Sequence, residues 1–147
     1  MFKHILVPTD LSKRAELAFV KAVFLAHQFN SEITLLNVHE EFQSKDELIM
    51  SRVSVETLQE KYKNIALEAK MKIKKLISKV HAEDILIHIL LREGKPSKEI
   101  IKVAKEIVVD LIVIGTNGKD GIADYFLGTT TNNVIENTKI PVLVVPE

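Results

Sequence analysis

The chain has 147 residues, with 20 Lys and Arg against 20 Asp and Glu, and no cysteine. Zero net charge argues against the electrostatic footprint of a nucleic-acid or anionic-membrane partner. The missing cysteines exclude disulfides, thiol catalysis and Cys-based zinc sites. One domain over residues 1–147 is the expectation at this length, with a core that buries roughly 70% of the unfolded surface. No apolar run approaches the ~20 residues of a membrane span. Lys3 and His4 lead straight into a short strand-like run with no signal-peptide pattern, so a cytoplasmic protein is expected.

Apolar runs alternate with helical periodicity along the chain, which predicts an α/β domain built on a mostly parallel sheet. Ile5 to Val7 is the first strand. Ser12 can cap the first helix, where Ala15, Ala18, Phe19, Ala22, Val23 and Ala26 recur at helical spacing. Small residues on that stripe let the helix lie close to a sheet. Ile33 to Val38 is the second strand. Residues 41–54 are polar and without a clear period, a loop or a frayed helix. A long stripe from Val55 through Leu58, Tyr62, Ile65, Ala69, Ile73 and Leu76 to Val80 predicts an unusually long second helix. Ile85 to Leu91 is the third strand. Pro96 opens a helix with Ile100, Val103, Ala104 and Ile107 inward. Leu111 to Ile114, Thr129 to about Asn137 and Val142 to Val145 complete the set as strand, helix and strand.

Five strands joined by right-handed crossovers must reverse their winding somewhere in the sheet. Ligands bind outside the carboxyl ends of the strands at that reversal. Two strand ends carry informative chemistry. Asp10 follows Pro8 and Thr9 at the end of the first strand. There it can accept hydrogen bonds from ribose hydroxyls, or it can serve the turn and cap of the next helix. After the fourth strand stand Gly115-Thr-Asn-Gly118, nine further residues, and Gly128-Thr129-Thr130-Thr131. Glycine turns and helix N-termini present unpaired N–H groups that suit phosphate. The same glycines can also serve backbone freedom alone. The spacing is neither the P-loop pattern nor GxGxxG. The five histidines show no metal-ligand spacing, and no nucleophilic triad stands out.

The pattern G-x2-G-x9-G-[S/T] resembles the nucleotide-binding signature of the universal stress protein family. His4-Ile-Leu-Val-Pro-Thr-Asp10, Gly94-Lys-Pro96, Asp110-Leu-Ile-Val-Ile-Gly115 and Ile140-Pro-Val-Leu-Val-Val145 resemble further family landmarks in the same order, so the likeness spans the chain. It implies a doubly wound, Rossmann-like sheet of the adenine-nucleotide α-hydrolase type, with strand order 3-2-1-4-5. It implies an ATP site formed by Pro8, Thr9, Asp10, Val38, Ile114, Gly115, Asn117, Gly118, Gly128, Thr129, Thr130 and Thr131. Asp10 would meet the nucleoside, and the backbone of Val38 the adenine edge. Mg2+ or Mn2+ would be carried on the phosphates, with no protein metal ligands and no catalytic residues. Leu11 departs from the family's small residue after the aspartate. Asp120 and Asp124 stand in the spacer where relatives often carry basic residues; they belong either to a solvated surface or beside a divalent ion. The resemblance implies a homodimer through the last strand and a stress-response or signalling role with at most slow ATP hydrolysis. The alternatives are an ATP-cleaving or nucleotidyl-transferring enzyme of the same fold, and a nucleotide-free dimeric adaptor.

Overall fold

The computed structural model describes residues 1–40, 55–116 and 127–147. Its elements are β1 (His4–Pro8), α1 (Lys13–Phe29), β2 (Glu32–His39), α2 (Val55–Lys79), β3 (Ile87–Glu93), α3 (Pro96–Glu106), β4 (Leu111–Gly115), α4 (Thr129–Asn137) and β5 (Val142–Val145). The strands form one five-stranded sheet in the order β3-β2-β1-β4-β5. Every pairing is parallel, as crossover helices require. The α/β class and the 3-2-1-4-5 order expected from the sequence are both present.

Each face of the sheet carries its own core. On one, Ile5 and Val7 of β1 and Ile33 and Leu35 of β2 pack against Ala18, Phe19 and Ala22 of α1 and Ile73 of α2. On the other, Leu6, Leu36, Ile112 and Ile114 meet Ile100, Val103 and Ala104 of α3 and Val134 of α4. This division follows from strand geometry, because successive side chains point to opposite faces. Buried on both sides, the central strands read as continuous apolar runs rather than as alternation.

Local chemistry sets the helix ends. The Ser12 hydroxyl accepts from Ala15 N at 3.2 Å and starts α1. α1 stops at Asn30 (φ 54°), where Ser31 N donates to Ala26 O. α2 stops at His81 (φ 54°) with Ala82 N donating to Ile77 O. α3 stops at Val108 (φ 53°) with Val109 N donating to Ala104 O. Each is a Schellman stop with a residue other than glycine in the left-handed region. At Val108 a β-branched side chain makes that conformation costly.

The third strand starts two residues later than its apolar run predicts. Ile85 N donates to Ala82 O and closes the turn after α2, and the first rung to β2 is Ile33 N donating to Leu86 O. The 41–54 segment lies outside the described residues.

Candidate functional site

The winding reverses between β1 and β4, which lie side by side. The carboxyl ends of these strands therefore hold the candidate site.

The turn leaving β1 is held at four points. Thr9 N donates to Leu36 O at 2.8 Å, the last backbone rung from β1 to β2. The Thr9 hydroxyl accepts from Leu11 N at 3.1 Å. Asp10 Oδ1 accepts from Ser12 N at 2.9 Å. Asn37 Nδ2, from β2, donates to Thr9 O at 2.9 Å. Leu11 is thereby placed at φ 64°. That positive φ is one that a branched, bulky side chain adopts at a cost.

Asp10 thus serves the turn that the cautious reading of its sequence context gave it. Yet only one of its oxygens is engaged, and the residue also lines an open cleft. The cleft, of about 160 Å3, is bounded by Asp10, Leu11, Asn37, Val38 and His39 at the strand ends and by Ile65, Glu68, Ala69 and Lys72 of α2. Its α2 wall is apolar at Ile65 and Ala69. At its rim Lys72 Nζ lies 3.1 Å from Glu68 Oε1.

Beside it, β4 ends at Gly115. A Cβ on this residue would fall 2.8 Å from Arg14 O and 3.1 Å from Arg14 C in the first turn of α1. Gly115 therefore serves close helix approach, with no positive φ involved. Arg14 itself directs Nε to Glu147 Oε2 at 2.9 Å. Asn117 and Gly118 of the expected loop, with the spacer to residue 126, lie outside the described residues.

α4 opens on Gly128, whose φ of 86° and ψ of 151° favour glycine. Gly128 supplies no side-chain cap, and the first turn of α4 contains no acidic residue. Among the described residues no side chain caps or compensates the positive end of the helix formed by its leading N–H groups. Thr129 is exposed and Thr130 half-buried. Thr131, expected among the phosphate-facing hydroxyls, turns inward instead. It is 3% exposed, and its Oγ1 donates to Gly115 O at 2.8 Å. Pro8 and Ile114 are buried in their strands and support the site from beneath.

Asn37 and the α2 wall were not among the residues expected here. Asn37 was visible as a polar residue at a strand end. Ile65 and Ala69 were legible only as the inner stripe of a helix, and nothing local says which part of that stripe reaches the strand ends. Among the described residues no group of three or more His, Asp or Glu side chains is arranged to hold a metal ion. Among the same residues no helix is long and apolar enough to cross a membrane.

Comparison with known proteins agrees with this architecture. The family model described as universal stress protein family matches residues 1–146. Universal stress protein MJ0577 of Methanocaldococcus jannaschii is 33% identical, over 99% of this chain and 95% of its own. Universal stress protein MJ0531 of the same organism is 35% identical, over 99% of this chain and 82% of its own. The solved structure of MJ0577 superposes with a TM-score of 0.81, covering 100% of this chain and 97% of that one. Two more distant structures share the fold. One is a universal stress protein in complex with cAMP, 21% identical with TM-score 0.70, covering 99% and 97% of the two chains. The other is an Archaeoglobus fulgidus universal stress protein in complex with dAMP, 22% identical with TM-score 0.60, covering 98% and 97%. A sheet of order 3-2-1-4-5, with a cleft at the carboxyl ends of β1 and β2 and a family match over nearly every residue, places this chain in the universal stress protein family.

Proposed function

We propose that this protein is a single-domain, cytoplasmic ATP-binding module of stress response, with at most slow hydrolysis. The observation that carries the reading is two features on the carboxyl-end rim of adjacent strands, one at β1 and β2 and one beside β4. One is a cleft with a half-engaged carboxylate, Asp10, at its edge. The other is a helix, α4, that starts on a glycine with no side-chain cap. The first suits a nucleoside, the second phosphate. The free oxygen of Asp10 accepts from a ribose hydroxyl, and the backbone of Val38 reads the base. The leading amides of α4 and the hydroxyls of Thr129 and Thr130 meet the phosphates, together with the loop of Asn117 and Gly118. Thr131 supports this arrangement by tying α4 to β4. The complexes of distant relatives with cAMP and dAMP are consistent with an adenine nucleotide. A divalent ion would ride on phosphate oxygens, since the described residues offer no cluster of their own.

Rapid hydrolysis needs an oriented water and stabilised phosphoryl charge. The loop sequence supplies amides and hydroxyls but neither a P-loop lysine nor an arginine finger. A homodimer through β5 belongs to the same reading. β5 is an edge strand, and Leu143 on it is 38% exposed. An apolar edge of this kind pairs readily with a second chain.

The deciding experiment is cheap. Purified protein is denatured and its supernatant analysed by mass spectrometry, and the nucleotide-free protein is titrated calorimetrically with ATP, AMP and adenosine. Retained adenine nucleotide, or saturable ATP binding, is the expected result. No binding of any of the three at millimolar concentration would refute the proposal.

A further inference from the structure

Asn37 does something at the cleft that a β-strand residue rarely does: its side chain takes the place of a backbone rung. The alternation of β2 makes this legible. Glu32 N donates to Lys3 O at 2.9 Å and Leu36 O accepts from Thr9 N at 2.8 Å, so even-numbered residues of β2 bond towards β1. Ile33 N donates to Leu86 O at 3.0 Å and His39 O accepts from Gly94 N at 2.9 Å, so odd-numbered residues bond towards β3. Val38 therefore directs its N–H and C=O to the β1 side.

Register pairing of β1 with β2 ends at Pro8 and Leu36. The next rung of a parallel ladder would run from Val38 N to Thr9 O. Asn37 Nδ2 occupies that acceptor at 2.9 Å instead. One residue beyond Asp10 the chain swings away through Leu11 at φ 64°. The backbone pair of Val38 is thus left facing the cleft that Val38 lines, one donor beside one acceptor. An exposed donor–acceptor pair of this kind matches the edge of a base carrying an amino group beside a ring nitrogen.

We infer that Asn37 is a positioning residue for ligand recognition: by bonding Thr9 O through its side chain, it keeps the ladder from closing and holds the Val38 N–H and C=O open to the base. The inference rests on the nucleotide-binding reading above and adds the means by which the base-reading edge is kept available. It also accounts for an amide-bearing residue where the apolar pattern of the strand would admit another Leu or Val.

The test combines Asn37→Leu with backbone amide exchange read by NMR. In the wild-type protein without ligand, the Val38 amide exchanges much faster than that of Leu36, which faces β1 within the ladder. Adenosine slows it. In Asn37→Leu the ladder closes by one rung, so the Val38 amide becomes protected without ligand. Affinity for adenosine and for ATP falls by the same factor, about ten-fold for two backbone hydrogen bonds. Asn37→Ala repeats the measurement without added bulk if the leucine variant unfolds. Asn37→His, which offers a ring N–H near the position of Nδ2, restores fast exchange and affinity. A merely structural asparagine would lower the melting temperature and leave Val38 exchange and adenosine affinity at wild-type values, and that result overturns the inference. A slowly exchanging Val38 amide in the wild-type protein overturns it as well. If the wild-type chain binds neither adenosine nor ATP, the nucleotide reading is the one that fails, and the exchange rates of Val38 still decide the role of Asn37.

Discussion

Replacing Gly115 by alanine adds one methyl group at the tightest point between the sheet and α1. The ideal Cβ would stand 2.8 Å from Arg14 O and 3.1 Å from Arg14 C. Both are backbone atoms, so no side-chain rotation relieves the contact. The first turn of α1 must retreat, and that turn is anchored through Ser12 to the Asp10 carboxylate. Overpacking of this kind costs about 1–3 kcal/mol. For a chain of this length that corresponds to a fall in melting temperature of roughly 2–12 °C. The displacement also carries Asp10 out of register with the cleft, so adenosine and ATP should weaken together. A thermal melt by circular dichroism reads the first effect, and calorimetry with both ligands reads the second. If the variant melts within a degree of the wild type, the close approach is not tight, and Gly115 is present for some other reason.

Other perturbations separate the parts of the proposed site. Asp10→Ala should weaken adenosine and ATP by similar factors, whereas Thr129→Ala should cost ATP about 1–3 kcal/mol and leave adenosine nearly unchanged; parallel losses in both variants would count against a phosphate role for Thr129. Val108, 78% exposed at φ 53°, should gain about 1 kcal/mol of stability on replacement by glycine, because the left-handed strain disappears; urea midpoints that are equal, or lower for the variant, contradict this. Val144→Pro, within the β5 edge, should convert a wild-type dimer to monomer or aggregate by light scattering, and a wild type that is monomeric at tens of micromolar removes the dimer from the reading.

The sequence was most informative where physical chemistry is local. Ser12 as a cap, the stripe of α1 and the long stripe of α2 depend on spacing alone, and each appears in the fold. The start of β3 did not, because Ile85 and Leu86 continue its apolar run without a break while Ile85 is spent on the turn after α2. Glycines were legible as landmarks but not in their purposes. Gly128 meets a positive φ, whereas Gly115 meets the carbonyl of a helix that is distant in sequence. The threonine run showed three equivalent hydroxyls, and only the placement of α4 against β4 sends Thr131 inward. The role of Asn37, visible only as a polar residue at a strand end, was hidden for a similar reason. Its role depends on which neighbour lies across the ladder and where that neighbour turns away, and neither is encoded within reach of Asn37 itself.

Gly115 joins elements that belong to opposite sides of the sheet. Its missing side chain receives the opening turn of α1 from one layer, and its carbonyl receives the Thr131 hydroxyl of α4 from the other. The same opening turn of α1 carries Arg14, which reaches Glu147 just past the edge strand β5. A shift of the α4 opening by a few tenths of an ångström therefore has no slack to enter at this residue. It must be taken up by the α1 turn or passed along Arg14 towards the last residues of the chain. Gly115 works as a fulcrum, a rigid point through which a load at one rim of the sheet is felt at another.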